Sequence, residues 1–399
     1  MLSESLSRGI LLPELKFIKD IILNKQRQIF CEKISEFEVC PKCATKSSTI
    51  YDHVFVTIRD APIRNQHVVL KIKKRRFLCK NCKKPFREPV QGIFKGFRTT
   101  QRLRSHIRWA AENYSDLKRV SKYTNASSWL VYKSFYEQID LELREYKSPW
   151  PKTIGIDEHS FLRSAKKHKT DFVTVFIDYS NRRMKEIVLG KAIGDLTNSH
   201  IKDIQGRENV KNVILDLSPT FRSFAKDFFP GARLIADKFH VIKLIHPIVH
   251  QYRKELIDKE GFNAGFRNPI GRLLICNRSK LRWKTKVTID RFLDFSTELK
   301  EIYWFKERIY RFYRIKGLKK ARKVWIDILD SMAHSKIPEI QSLRRTLRLW
   351  ANEILNYFST KLTNGRTEGY NRKAKLIQRC AYGFRSFKNY RLKLLYSCR

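Results

Sequence analysis

The spacing of apolar and polar residues changes character several times along the chain. The opening segment, residues 1–37, carries "LLPELKFIKDIIL", whose spacing predicts a short amphipathic helix in a lead-in. Two runs then alternate with the period of a half-buried strand, "HVFVTIRD" and "HVVLKIKKRRFLC", joined by a turn near Pro62–Gln66; they predict a β-ribbon. Helical spacing follows. Gln101–Asn113 places Leu103, Ile107, Ala110 and Ala111 on one face, and Ser115 is suited to cap a second helix, Asp116–Tyr123. After a turn at Thr124–Ala126, a third helix is expected over Ser127–Ile139, opening on Ser127, Ser128 and Trp129 and carrying Tyr132 and Lys133. Helix, short turn, helix predicts a helix-turn-helix over residues 99–146, its last helix able to enter a major groove.

The proline-broken stretch "YKSPWPKT" (Tyr146–Thr153) marks a boundary. Beyond it "TIGID", "DFVTVFIDYS" and "RMKEIVLGK" read as a three-stranded meander with a tight turn at Ser180–Arg182. "KNVILDLS" then gives a strand followed by the helical "PTFRSFAKDFF", and "GARLIADKFHVIKLI" a strand running into a helix. Strands alternating with helices after a meander predict an α/β core over 150–250, its sheet antiparallel on one side and parallel on the other. Strand signals vanish from about Val249 to Leu362, which predicts an all-helical block over 251–360. Residues 361–399 form a basic helical tail.

Composition narrows the class. A chain of 399 residues is long enough for two or three domains with real cores. Aromatic residues at 12% exclude a disordered basic tail protein. There is no apolar run of membrane-spanning length, and Met1–Lys16 lacks the order of a signal peptide, so a soluble, cytoplasmic protein without a membrane partner is expected. The net charge of +44 points to a polyanion, nucleic acid before a ribosomal or coating role. That charge is concentrated. Lys71–Trp109 holds fourteen Lys/Arg, among them Arg75, Arg76, Lys83 and Lys84, against the single Glu88. Cys40/Cys43 and Cys79/Cys82 form two C-x-x-C pairs, the spacing of two knuckles that close one tetrahedral, structural Zn²⁺ site; the β-ribbon absorbs the residues between them. The zinc-ribbon domain is expected over 38–98.

In so basic a chain the carboxylates stand out. Asp157 and Asp216 each end an apolar β-run, which brings both to the carboxyl edge of the sheet, within reach of hard divalent cations such as Mg²⁺. Residues 361–399 contain eleven Lys/Arg and one acid, Glu368, in the first turn of a helix that Thr367 is suited to cap. Glu368 either complements the helix dipole or supplies a third metal ligand, with Asn371 one turn on and Arg372, Lys373 and Lys375 available for phosphate.

The series "CPKC…RRFLCKNC", "GIDEHS", "VILDLSPTF", "PGARLIADKFHVIKL" and "NGRTEGYNRKAKLIQRCAYGFRSFKNYRLKLL" resembles the ISL-three family of insertion-sequence DDE transposases over nearly the whole chain. The resemblance implies a ribonuclease-H-like catalytic core with a helical insertion, preceded by a zinc ribbon and a helix-turn-helix. It also implies an acidic triad of Asp157, Asp216 and Glu368 that binds Mg²⁺ or Mn²⁺. The family's Asp-Lys/Arg-Phe-His box is Asp237–His240, and Asp237 is an alternative second ligand, or else supports the site or touches DNA. Asp216 is preferred because its strand is expected beside the first. The implied partners are double-stranded DNA, as terminal inverted repeats and as target, and a homodimer or larger synaptic assembly. A catalytically silent DNA-binding regulator and a structure-specific nuclease are the rival readings.

Overall fold

The computed structural model describes residues 11–23, 26–114, 116–145, 148–163, 170–261 and 264–399. They form two compact units, Met1–Arg144 with Arg379–Tyr382, and Glu145–Gln378 with Gly383–Arg399. Among the described residues no helix is long and apolar enough to cross a membrane.

The first unit is built on a sheet in the order β1 (Leu15–Leu23), β2 (Gln26–Lys33), β6 (Gln66–Leu78), β5 (Ile50–Ile63), with β7 (Pro85–Arg87) also paired to β6; β3 (Glu38–Val39) and β4 (Lys46–Ser47) form a separate small hairpin. The lead-in is therefore not helical. Its segment "LKFIKDIIL" pairs antiparallel with β2, which in turn runs parallel to β6. The β-branched Ile18, Ile21 and Ile22 favour the strand, and ladder pairing outweighs an amphipathic spacing that fits either element. Residues 1–10 of the lead-in lie outside the described residues. The expected ribbon is present as β5 and β6, turning at Arg64 and Asn65, both left-handed at φ 48° and 62°. Leu12, Leu15, Ile29, Ile58, Leu70 and Ile72 fill its core.

Three helical segments follow, α1 (Gln101–Asn113), α2 (Leu117–Thr124) and α3 (Ser128–Tyr132); α3 continues through a π-helical turn at Lys133–Glu137 into α4 (Gln138–Glu145). The residue expected to cap α2, Ser115, lies outside the described residues; Asp116 accepts the Arg119 N–H at 2.7 Å and is the cap. Left-handed Asn125 (φ 48°) makes the turn to α3. Buried Asp60 ties the sheet to α1 through the Thr100 hydroxyl and the Arg102 Nε, each at 2.7 Å.

The second unit carries a mixed sheet in the order β10 (Arg183–Leu189), β9 (Thr170–Asp178), β8 (Thr153–Arg163), β11 (Asn212–Leu215), β12 (Arg233–Ala236). The β8–β9–β10 side is antiparallel, while β11 runs parallel to both β8 and β12. The helices are α5 (Ile193–Thr197), α6 (Pro219–Phe228), α7 (Lys238–Lys243), α8 (His246–Glu260), α9 (Ala264–Ile275), α10 (Trp283–Leu293), α11 (Thr297–Phe312), α12 (Leu318–Ala333), α13 (Pro338–Leu349), α14 (Ala351–Thr360), α15 (Gly365–Cys380) and α16 (Phe387–Ser397). Between α7 and α15 no strand occurs among the described residues. An aromatic core of Trp150, Phe176, Phe224, Phe228 and Phe229 packs edge-to-face under the sheet, with Trp150 and Phe229 centroids 5.0 Å apart. Of the boundary stretch, Tyr146 and Lys147 lie outside the described residues.

Asp157 does not end its strand: β8 runs on to Arg163, and Asp157 pairs with Val175 of β9. The strand that ends there is the neighbour β11, whose pairing with β8 stops at Ile214↔Gly155. The long β9 partner carries β8 past the point where its other edge becomes free.

Gly155 lets α15 lie against that edge. A Cβ at this position would sit 2.6 Å from Tyr179 Cε2 and closer still to Thr367 Oγ1. Gly155→Ala is expected to destabilise the second unit by about 1–3 kcal/mol, because helix and strand must part; thermal unfolding of the two proteins checks it, and an unchanged melting temperature would show that the approach is not tight.

Candidate functional site

Two centres emerge from this framework. The first is the cysteine cluster. Each C-x-x-C sits in a knuckle with a left-handed residue four positions after its first cysteine: Ala44 (φ 57°) and Lys83 (φ 49°). In both, the amide of the first cysteine donates to the carbonyl five residues on, Cys40 to Thr45 at 2.9 Å and Cys79 to Lys84 at 3.2 Å. The β3–β4 hairpin holds one knuckle and the β6–β7 pair the other. All four sulfurs lie within 4.8 Å of one another, with Cys40···Cys82 at 3.6 Å and Cys43···Cys79 at 3.4 Å. A tetrahedral zinc with Zn–S bonds of about 2.3 Å needs sulfurs about 3.8 Å apart, so the residues fit that ion. A hydrogen bond with the Thr45 hydroxyl, then the Thr45 amide, lowers the Cys43 thiol to about 6, whereas for Cys82, despite a backbone hydrogen bond at Lys84, desolvation and the neighbouring sulfurs push the thiol up to about 11.

The second centre lies where β11 ends beside β8. Asp157 projects from β8, and Asp216 follows β11 directly, so the parallel register places the two carboxyl groups in contact. Burial raises the pKa of both; for Asp216 burial, then the Asp157 charge, pushes it up to about 7. His240, on α7, places Nδ1 3.1 Å from Asp216 and 3.0 Å from Asp237. Its own pKa is raised, first by the hydrogen bond with Asp237. Asp237 stands between β12 and α7 and is 3% exposed, its side chain making no cap to the helix; its other oxygen accepts the Asn364 backbone N–H at 3.1 Å.

Helix α15 lies over this pair. The Asn371 amide donates to Asp157 Oδ2 at 2.8 Å, and the Asn364 amide, just before the helix, donates to Asp216 Oδ1 at 3.4 Å. Glu368 falls between them at i+4 from Asn364 and i−3 from Asn371, the spacing of one helix face. Its carboxylate is 53% exposed and pairs with Arg372 at 2.7 Å. Among the described residues only the four cysteines bring three or more His, Cys, Asp or Glu ligand atoms within 4.8 Å of one another, so Glu368 does not close on the aspartates. Thr367 does not cap α15, which starts at Gly365; its buried hydroxyl meets Tyr179 Oη at 3.0 Å. The seven-residue interval between Asn364 and Asn371, bracketing Glu368, is the sequence signal that would have revealed Asn364.

The basic positions divide. Arg75 is engaged within the ribbon, bonded to Glu88, Ser35 and the Lys33 carbonyl. Arg76 forks onto Asp52. Lys83 and Lys84 are exposed at the second knuckle. Ser127 caps α3, accepting the Leu130 N–H, while Ser128 and Trp129 are exposed and Lys133 lies over the Trp129 ring at 4.7 Å. On α15, Arg372, Lys373 and Lys375 are exposed; Arg372 pairs with Glu368 and Lys373 donates to the Ser397 carbonyl.

Comparison with known proteins gives the family. The family model of ISL3 DDE transposases, described as a transposase, matches residues 154–394, and the model described as the zinc-finger of transposase IS204/IS1001/IS1096/IS1165 matches residues 36–82. The transposase for insertion sequence element IS1001 of Bordetella parapertussis is 22% identical over 381 residues, covering 92% of this chain and 90% of that protein. A match that spans both the sheet with its carboxylates and the helix that closes over them makes this chain a member of the ISL3 family of DDE transposases.

Proposed function

We propose that the protein binds the terminal inverted repeats of an insertion sequence and, at Asp157, Asp216 and Glu368, cleaves the element ends and joins them to target DNA. The observation that carries this reading is the contact of two half-buried carboxylates at the mouth of a parallel strand pair, under a helix that presents a third. The mixed strand order β10-β9-β8-β11-β12, with acids on and just after its two central strands, supports the reading of a ribonuclease-H-like core in which the helices between α7 and α15 are an insertion.

Asp157 and Asp216 would hold divalent cations, Mg²⁺ or Mn²⁺, with Glu368 turning from Arg372 to complete the set. Bound there, such ions supply Lewis acidity to the scissile phosphodiester and acidify the attacking water. The chain does the rest. Asn371 and Asn364 orient the two aspartates, and burial of the pair makes it a poor place for two bare negative charges and a good one for cations. Arg372, Lys373 and Lys375 offset the charge of the approaching strand. Water attack frees a 3′-hydroxyl at the element end, and that hydroxyl then attacks the target phosphodiester. Asp237 is the support in this scheme: its oxygens are committed to Asn364 and His240, whereas Asp216 is 20% exposed and faces Asp157. The α2–α3 pair acts as the helix-turn-helix. Trp129, Ser128 and Lys133 are offered to the major groove, and Lys83 and Lys84 to the backbone. Pairing two ends calls for a dimer or larger synaptic assembly on double-stranded DNA.

Asp157→Asn, Asp216→Asn and Glu368→Gln proteins are expected to lose Mg²⁺-dependent cleavage of a plasmid carrying the terminal repeats by at least about 10³-fold. Their affinity for repeat DNA should stay near that of the unaltered protein. Continued nicking by Glu368→Gln would remove that residue from the set. The Cys79→Ser protein should lose its zinc, measured as metal per chain, and become protease-sensitive within residues 38–87, because an incomplete ligand set no longer holds the knuckles. Its repeat binding should weaken. Full zinc content in Cys79→Ser would disprove the four-cysteine site.

A further inference from the structure

The Asn371 amide that touches Asp157 is itself held. Its Oδ1 lies 3.0 Å from His159 Nδ1, and His159 Nε2 lies 2.6 Å from Tyr390 Oη. The three side chains are 7%, 3% and 0% exposed. Hydrogen placement follows from the acid end. A carboxylate only accepts, so Asn371 must turn its NH₂ to Asp157 and its carbonyl to His159. His159 Nδ1 therefore carries the proton. Neither ring nitrogen meets a carboxylate, so the buried ring is neutral and Nε2 accepts the Tyr390 O–H. Donors thus point one way: Tyr390 to His159, His159 to Asn371, Asn371 to Asp157.

We infer that Tyr390, His159 and Asn371 are a relay of positioning residues that fixes the Asp157 carboxylate for metal binding. The relay couples the site to α16, which lies beyond the last catalytic acid in the chain. This rests on the reading of Asp157 as a metal ligand. Asp157 Oδ1 accepts the Glu158 N–H at 2.8 Å and Oδ2 the Asn371 N–H, so each oxygen is oriented by one donor from the chain. Helix α16 is in turn pinned to β10: Arg391 forks onto Glu186 at 2.7 and 2.6 Å, and the Met184 N–H donates to the Cys398 carbonyl at 2.9 Å. The four elements β8, α15, α16 and β10 thereby share one hydrogen-bonded path to the site. Outer partners of metal-binding side chains commonly govern metal affinity without touching the ion.

The test is a Mg²⁺ titration of plasmid cleavage by the full-length protein, alongside repeat-DNA affinity and melting temperature. Tyr390→Phe removes only the terminal hydroxyl and keeps the ring that packs on Phe161 and Phe384 at 4.9 and 5.1 Å. It is expected to raise the half-saturating Mg²⁺ concentration about threefold to tenfold, and His159→Leu about tenfold to 100-fold, with Mn²⁺ restoring much of the rate. His159→Asn retains an N–H donor near the place of Nδ1 but loses the Nε2 acceptor for Tyr390, so it should shift about as far as Tyr390→Phe and less than His159→Leu. DNA affinity should not move in any of them. Half-saturation unchanged in Tyr390→Phe and His159→Leu, or a loss of rate at saturating metal with no shift in half-saturation, would overturn the relay. The Asp157→Asn protein separates the two readings. Cleavage by it would overturn the metal-ligand assignment itself, whereas an inactive Asp157→Asn beside unshifted Tyr390→Phe and His159→Leu overturns the relay alone.

Discussion

Two carboxylates brought into contact while partly withdrawn from water repel each other and lose hydration, and the arrangement persists only where neighbours hold it in place. In this protein Asp157 and Asp216 are in that position because β8 and β11 run parallel in register and β11 stops one residue short of Asp216. Much of the surrounding architecture answers the problem that pair creates. Asn371 and Asn364 donate to one aspartate each, His240 approaches Asp216, and Asp237 holds both His240 and the chain just ahead of α15. Gly155 and Thr367 let α15 come close enough for its amides to reach. None of these contacts neutralises the pair: amides are neutral, and one imidazole shared between two acids does not offset them. The pair therefore stays acidic, which is what the proposed role in holding cations requires.

How much of this is legible in the sequence follows from where each signal lives. The ribbon, the two knuckles and the mixed sheet are legible because alternation, C-x-x-C spacing and apolar runs ending in acids are local patterns. The lead-in reads wrongly as a helix because "LKFIKDIIL" carries an ambiguous period, and its strand is decided by β2, a partner outside the segment. The extension of β8 past Asp157 is hidden for a related reason: its continuation depends on β9 being longer than β11. Thr367 resembles a cap because a threonine before a helical run usually is one; its hydroxyl is claimed by Tyr179, 188 residues away. The relay through His159 is the least legible of all, since its members sit on β8, α15 and α16 and no spacing rule joins them.

The basic residues teach a similar lesson about charge. Counting Lys and Arg locates the dense segments but not their use. Arg75 is bound to a buried glutamate and three other oxygen acceptors within the ribbon, a structural clamp in a stretch that composition marks as a DNA surface. Lys83 and Lys84, a few residues on, are exposed at the knuckle. Burial and partners, not sequence density, separate the cations available to phosphate from those holding the fold.

The long helical excursion between Asp216 and Glu368 is compatible with a site accurate to a hydrogen bond because both of its ends are pinned to the same sheet. It leaves from β12 through Asp237, the residue just ahead of α7. It returns as α14, where Asn356 donates to the Leu234 carbonyl of β12 at 2.8 Å and Arg222 of α6 pairs with Glu353 at 2.7 Å. The chain then reaches Asn364, whose N–H is caught by that same Asp237. The residue that releases the excursion therefore also receives it. Closure entropy grows only logarithmically with loop length, so a folded excursion of this size burdens the site little once its two ends meet on one carboxylate. Asp237 stands beside the aspartate pair, and its two oxygens meet His240 and the Asn364 N–H. It sets the origin of α15, and with it where Glu368, Asn371 and their cations stand relative to the aspartate pair.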